Sequence, residues 1–323
     1  MTLRLPLAFT ALLLSLPLWA SPFVVFQIGA QALGLGCVAL SLSWLMSQAG
    51  AVSLAQLSVA GVAGYGVALL GGSEFEPSRG WPWTVAVPLA LLAGVAAGAA
   101  LGWLAARTEG LQTIMLTLAV AVAWALFLQQ NQVLTNGFNG ITGTRAPTVW
   151  GVDLSRPTPF YLLSLAVAAA CVLVVQRLYG TVFGLTLRGA RDDARKMAAL
   201  GYQVQQHRIA AYAFAGLVAS LGGVLRLWFN GQISSGSMAM GPVIDILVIA
   251  VIGGTRYAWG PFAGALVFVL LQNFAGDIVS AERFRLFVGV VFLILVLATR
   301  DGLAGLWDHW RGGVLRQRGV HNL

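Results

Sequence analysis

The chain alternates long apolar stretches with short polar ones, and this pattern predicts membrane-spanning helices. An apolar run of roughly 17–25 residues is long enough for a helix to cross a bilayer. About ten such runs are present, although the first and eighth are short enough to be tilted, re-entrant or partly buried in protein. The predicted spans are 5–19, 24–45, 51–71, 83–105, 111–130, 158–176, 209–229, 243–254, 260–276 and 285–299.

The charged residues gather in one island between the sixth and seventh spans, at 177–208. Small residues recur there with helical spacing, and Gly201 is a natural helix stop. The spacing predicts one short helix over 188–201 with a smooth face and a basic rim. Two interpretations remain open: a helix that docks in a groove of another protein, or a solvated helix facing lipid headgroups. The residues assigned to this helix are Arg188, Ala190, Arg191, Asp192, Ala194, Arg195, Ala198 and Gly201.

Composition supports the membrane assignment and narrows the chemistry. Hydrophobic residues make up 58% of the chain and charged ones 9%, with a mean hydropathy of +0.82. The net charge of +8 is explained by positive loops under a bilayer, which attract anionic lipid, and not by nucleic-acid binding. No phosphate-binding loop, metal-ligand spacing or catalytic constellation is present, so neither an enzyme nor a cofactor is predicted.

The distribution of Lys and Arg predicts the orientation, because positive loops stay in the cytoplasm. Most of these residues fall on the inner side when both termini are placed inside, and the charged island is then cytoplasmic. The fold class predicted is an all-α integral membrane bundle of about ten spans with both termini cytoplasmic. It forms a single transmembrane domain, 1–323, with a basic cytoplasmic tail at 300–323.

Polar residues near the outer face are candidates for a pathway or gate. The outer run 136–143 is rich in Asn and Gly, and it fits an outer gate, a docking site for a delivery protein, or a plain surface loop. Arg226 lies inside the seventh span, where it either snorkels to the interface or faces the pathway and attracts a carboxylate. Asp245 is the one carboxylate well placed near a span, and it either serves the pathway or caps the eighth helix. The candidate residues are Asn136, Gly137, Asn139, Gly140, Arg226 and Asp245.

Ordered motifs stand at 39–50, 53–56, 64–65, 107–111, 117–119, 134–141, 183–193, 198–201, 252–254, 259–261, 264–265 and 302–306. Together they resemble the permease subunits of branched-chain amino-acid ABC importers, in particular the LivM-like member of the LivH/LivM pair. The similarity runs roughly from residue 24 to 310. Asn136 stands where the family usually has Gly, Asp245 where it often has Glu, and Arg226 where a small or aromatic residue is expected.

The resemblance implies a subunit of an ATP-driven importer in the inner membrane. Its partners would be a second, LivH-like permease, two ATP-binding subunits that hydrolyse ATP, and an extracytoplasmic solute-binding protein. The island would carry the coupling helix that the ATPase grips, and the two halves would be inverted repeats. The solute would be a branched-chain amino acid, or urea or a short amide. The alternative of another class is a carrier or channel working alone, for which Asp245 with Arg226 is the only candidate charge pair.

Overall fold

The computed structural model describes most of the chain, from the second predicted span to the ninth. The described residues are 21–75, 78–149, 151–275 and 289–290. Three predicted segments lie outside them: the spans 5–19 and 285–299 and the tail 300–323.

Helices dominate the described residues, with one small hairpin. The strands β1, Thr148–Val149, and β2, Val152–Asp153, pair antiparallel with Thr148 opposite Asp153. In chain order the helices are α1, Val24–Ala49, wound as a π-helix at both ends; α2, Gln56–Leu70; α3, Trp83–Ala105; α4, Leu111–Gln130; α5, Gln132–Thr135; α6, Pro157–Tyr179; α7, Val182–Asp192; α8, Ala194–Ala199; α9, Val204–Asn230; α10, Met240–Gly253; and α11, Gly260–Ala275.

Five of these helices, α1, α3, α4, α6 and α9, are long and apolar enough to cross a membrane. The prediction of a helical, multi-pass membrane protein is therefore confirmed. The shorter helices α2, α10 and α11 are apolar as well.

Helix α9 lies at the centre of the bundle and packs against α1, α2 and α3 through glycines. A Cβ atom on Gly98 would lie 2.9 Å from the Cα of Gly216 and 2.7 Å from the carbonyl oxygen of Tyr212. A Cβ on Gly222 would lie 2.9 Å from the carbonyl oxygen of Gly34. Helices in lipid gain little from the hydrophobic effect, so close backbone packing holds them together. Gly94, Gly98 and Gly102 recur at i+4 spacing, which predicts one face on which helices approach closely. This face is buried against α9.

Helices α10 and α11 form a hairpin, and α10 is shorter than the membrane-spanning helices beside it. The 14 residues of α10 extend about 21 Å, less than the ~30 Å of a bilayer core. Phe262, in the first turn of α11, packs against Gly36, halfway along α1. The eighth predicted span is therefore short in the structure too. The turn between α10 and α11 lies beside the middle of α1.

The loops between the described helices lie at two opposite ends of the bundle. At one end, here called the basic end, the charged island meets the end of α1 and the loop before α4, where Arg208 and Glu109 approach to 3.5 Å. At the opposite end, the amide of Glu74 donates to Thr142, and Ile141 pairs with Ile233. This sorting agrees with the alternation predicted for the second to eighth spans.

The predicted orientation can be tested with single cysteines at the two ends. Cysteines replacing Ser78 and Thr148 are expected to react with an impermeant thiol reagent added to intact cells. One replacing Gln203 should react only after the inner face is opened. Native Cys37 and Cys171 are buried and give a low background. Labelling of Gln203→Cys from outside would reverse the orientation.

The close approach of α3 and α9 predicts a sharp difference between two glycines. Gly98→Leu forces a side chain against the backbone of α9 and should cost roughly 1–3 kcal/mol of stability. The matched control is Gly72→Leu, because a Cβ at Gly72 meets no atom within 4 Å. Thermal unfolding of the purified variants in detergent measures both. Equal melting temperatures would contradict the packing described here.

Candidate functional site

The charged island forms two helices, so the prediction of one helix over 188–201 is wrong. Helix α7 ends at Asp192, Asp193 is extended (φ −155°, ψ 97°), and α8 begins at Ala194. The chain breaks there because the Asp193 carboxylate caps α8, accepting 3.1 Å hydrogen bonds from the amides of Arg195 and Lys196. Gly201, with φ +88°, follows the end of α8 and is the predicted stop.

Helix α7 is attached to the bundle by two of its arginines. The Nη2 of Arg188 donates to the carbonyl oxygen of Tyr179 at 2.8 Å. The Nη1 of Arg191 donates to the carbonyl oxygen of Ser47, in the last turn of α1, at 2.6 Å. A Cβ on Gly50 would collide with the Arg191 side chain, so this glycine makes room for the arginine. Both arginines therefore bind the island to the bundle and do not form a free rim.

Helix α8 is the part of the island that faces outward. None of its residues is buried, and Ala198 and Arg195 are exposed. Ala190, by contrast, is only 2% exposed and packs inside the bundle. The predicted continuous small face through Ala190, Ala194 and Ala198 is therefore wrong, because the break at Asp193 turns its members to different sides.

A polar groove of about 400 Å³ separates the island from the neighbouring loops. Arg191, Asp192 and Asp193 line one side, and Glu109 lines the other. Asp192 pairs with Arg191 at 3.1 Å, and Asp193 pairs with Lys196 at 3.1 Å. Hydrogen bonds from the backbone amide and then the side chain of Lys196 hold the pKa of Asp193 below its ordinary value. The groove is thus a charged surface stabilised by local pairs.

The predicted gate loop at the opposite end is fixed in place by backbone geometry. Asn136 adopts φ +56°, and its Nδ2 donates to the carbonyl oxygen of Gly140 at 2.9 Å. Gly140 adopts φ +73°, where a Cβ would lie 2.7 Å from the Cα of Ser234. Gly137 is buried, whereas Asn139 is exposed. The Asn and Gly residues therefore hold the loop against the connection between α9 and α10.

Arg226 and Asp245 both line a polar cavity of about 160 Å³, which lies between α1, α9, α10 and α11 and is separate from the groove beside the island. The Cγ of Arg226 lies 3.4 Å from the position of a Cβ on Gly34, so this glycine makes room for the arginine. The negative charge of Asp245 acts favourably on the guanidinium. The structure does not bring these two residues together with those of the gate loop.

Two interpretations of these residues are corrected. Asp245 does not cap a helix, because α10 begins at Met240 and Asp245 lies in its second turn. Arg226 does not snorkel outward, because its side chain packs against α1 and lines the inner cavity.

The break between α1 and α2 is displaced from its predicted position: the spans 24–45 and 51–71 place it at 46–50, whereas the structure has it at 50–55. The predicted span 51–71 becomes helical only at Gln56, and Ser53 and Ala55 are buried in non-helical backbone. The amide of Leu54 donates to Thr117 Oγ1 at 3.2 Å, and Ser41 donates to Gln56 Oε1 at 3.3 Å. Non-helical backbone at membrane depth requires such partners. The polar residues 53 and 56 after Gly50 are the signal that would have located it.

Comparison with known proteins agrees with this architecture. A family model for the permease component of branched-chain amino-acid transport systems matches residues 24–297. No solved structure matches the chain.

Individual relatives are distant. The chain is 24% identical to the high-affinity branched-chain amino acid transport system permease protein LivM of Salmonella typhimurium (strain LT2), and 23% identical to that of Escherichia coli (strain K12). Each alignment covers 68% of this chain and 57% of the relative, so the chain matches less than two thirds of those proteins. It is also 27% identical to the ribose import permease protein RbsC of Escherichia coli (strain K12), over 66% of this chain and 67% of the relative.

The cap at Asp193 predicts how α8 responds to substitution. Asp193→Ala removes the acceptor for two amides and is expected to speed hydrogen exchange of the α8 amides, whereas Asp193→Asn keeps an acceptor and should change exchange much less. The pKa of Asp193 is lowered in the folded protein, so its carboxylate is charged and caps α8 at neutral pH. The stabilisation by this charged cap is lost as the pH falls through the pKa of Asp193 in the folded protein. Exchange measured at neutral pH by mass spectrometry compares the variants. Unchanged exchange in Asp193→Ala would contradict the cap.

Proposed function

Because the chain belongs to the family of permease components of branched-chain amino-acid transport systems, we propose that it is a transmembrane subunit of an ATP-driven importer. It is a transporter subunit and not an enzyme, and its partner subunits hydrolyse the ATP. It works with a second permease, two ATP-binding subunits and an extracytoplasmic solute-binding protein.

The arrangement of the island is the observation that carries this proposal. Helix α8 presents exposed residues to the aqueous side, while α7 is bound to the end of α1 through Arg191. A surface that projects outward and is also anchored to a central helix is suited to transmit force from a docked partner. We assign α8 and the adjoining groove as the surface that the ATPase grips.

The mechanism follows from the anchoring. When ATP binding closes the ATPase pair, α7 and α8 move as one body because Met197 of α8 packs against Gly189 of α7. The hydrogen bonds of Arg188 and Arg191 carry this movement to the bundle. The movement passes into α1 and tilts the helices between inward-open and outward-open states. The gate loop at the opposite end faces the solute-binding protein.

The full topology is part of the same proposal. The chain forms a single domain of ten spans across the bacterial inner membrane, with both termini in the cytoplasm. Its halves are inverted repeats, since a repeat of five spans reverses direction in the membrane. The loops of the described spans, which sort onto two ends, support this arrangement.

The proposed solute is a branched-chain amino acid. The LivM relatives support this assignment, while the similarity to the ribose import permease RbsC favours a sugar as the second candidate. Urea or a short amide is the remaining alternative with the same architecture. Uptake of labelled leucine, ribose and urea by cells expressing the whole transport system distinguishes the three.

Docking can be tested by adding bulk to α8. Ala194→Trp enlarges a half-buried position at the start of α8 and is expected to reduce both ATPase recovery and solute-stimulated ATP hydrolysis at least several-fold, because overpacking a close contact costs roughly 1–3 kcal/mol. The matched control is Leu111→Trp. The Leu111 side chain is 70% exposed at the same end of the bundle, where a tryptophan is well tolerated at the membrane interface. Normal coupling in Ala194→Trp would refute the docking assignment.

Purification distinguishes an importer from a carrier that works alone. The complex extracted in mild detergent is expected to contain ATPase subunits in stoichiometric amounts, as the island requires a partner. Solute uptake by vesicles that contain only this chain would support the carrier and contradict the proposal.

A further inference from the structure

The cavity around Arg226 combines features that match one class of solute. Arg226 supplies a positive charge and Asp245 a negative one, and both line the same space of about 160 Å³. Pockets for drug-sized ligands occupy roughly 300–1,000 Å³, so this cavity suits a smaller molecule. A sugar or a neutral amide has no charge to match this pair.

The rest of the lining divides into a polar and an apolar part. The amides of Gln31 and Gln272 lie on the polar side, and the Nε2 of Gln31 donates to the Oε1 of Gln272 over a long 3.5 Å. The Oε1 of Gln31 is buried and accepts no hydrogen bond among the described residues. Leu35 and Phe268 provide an apolar wall. A ligand that carries both charges and an apolar body would contact each of these surfaces.

A second, smaller space shares lining residues with the cavity and lies toward the end of the bundle that holds the gate loop. Arg226 lines this smaller space with Asn230, Gln232 and Ser237, in and beside the connection that holds the gate loop. Asn230 lies one helical turn beyond Arg226 and is exposed. The guanidinium therefore stands between the surface near the gate loop and the inner cavity.

We propose that this cavity is a binding site for an amino acid with an apolar side chain, with its carboxylate on Arg226 and its ammonium group on the side of Asp245. The guanidinium fork is the protein group best suited to a carboxylate. The solute occupies this site briefly on its way from the solute-binding protein to the cytoplasm. This inference rests on the proposed function and chooses an amino acid over a sugar.

Protection of a cysteine from labelling tests the site directly. The purified complex carrying Asn230→Cys is treated with a maleimide in the presence of leucine, ribose or isocaproamide, a neutral analogue of similar shape. Leucine at about ten times its dissociation constant is expected to slow labelling about tenfold by simple occupancy. Ribose and isocaproamide should give no protection. Ser78→Cys, at the same end but outside the cavity lining, is the control that leucine should leave unprotected.

The double variant Arg226→Gln with Asp245→Asn removes the charges without leaving one buried alone, which would itself destabilise the protein. In this background, leucine is expected to lose its protection of Asn230→Cys. Retained protection in the double variant, equal protection by ribose, or absence of labelling at Asn230→Cys without ligand would each overturn the proposal. Recovery of ATPase subunits is scored on the same samples, so a failure of the site is distinguished from a failure of the importer assignment.

Discussion

The architecture depends on the contact between the backbone of α9 and the helices around it. Gly216, Gly222 and Gly223 bring α9 within van der Waals contact of the backbones of α3, α1 and α2, respectively. In a bilayer, lipid solvates apolar side chains as well as protein does, so helices gain most from contacts that lipid cannot make. A glycine surface provides such contacts because it removes the side chains that would keep the axes apart. Helix α9 is thereby fixed to three neighbours at once.

This fixed centre places the two candidate sites on one rigid element. At the basic end, Arg208 of α9 reaches Glu109 beside the groove. Near the other end, Arg226 of the same helix lines the polar cavity. Helix α1 also joins the two places, since Ser47 receives Arg191 and Gly34 makes room for Arg226. In the proposed mechanism, a displacement of the island reaches the cavity through these two helices, which are packed against each other.

The pattern of apolar runs predicted most of the described helices. In a membrane, a segment of sufficient length and apolar character must form a helix to satisfy its own backbone hydrogen bonds, whatever its neighbours are. The spacing of Gly94, Gly98 and Gly102 likewise indicated a packed face, which the structure contains. The break at Asp193 was not predicted, since small residues at helical spacing on both sides concealed a side chain that caps the next helix.

The side-chain partners in the charged island and in the Arg226 cavity could not be predicted from the sequence. They depend on tertiary contacts between positions far apart in the chain, and hydrophobic periodicity carries no information about such contacts. Arg188 and Arg191 looked like free surface charges because the sequence does not show the carbonyl oxygens of Tyr179 and Ser47 that bind them. The pairing of Arg226 with Asp245 in one cavity needed the relative positions of α9 and α10.

The charge pair in the membrane has an energetic consequence for the solute. An arginine costs about 2.5–3.5 kcal/mol at the centre of a bilayer on insertion scales and less near the end of a helix, where Arg226 lies. The negative charge of Asp245 opposes that cost. A zwitterion adds no net charge to the proposed site, so its carboxylate and ammonium groups can approach Arg226 and Asp245 without a large change in electrostatic energy. Removal of water from these charged groups limits the affinity. In the proposed mechanism the site therefore holds a zwitterion weakly enough to release it, as a solute in transit requires.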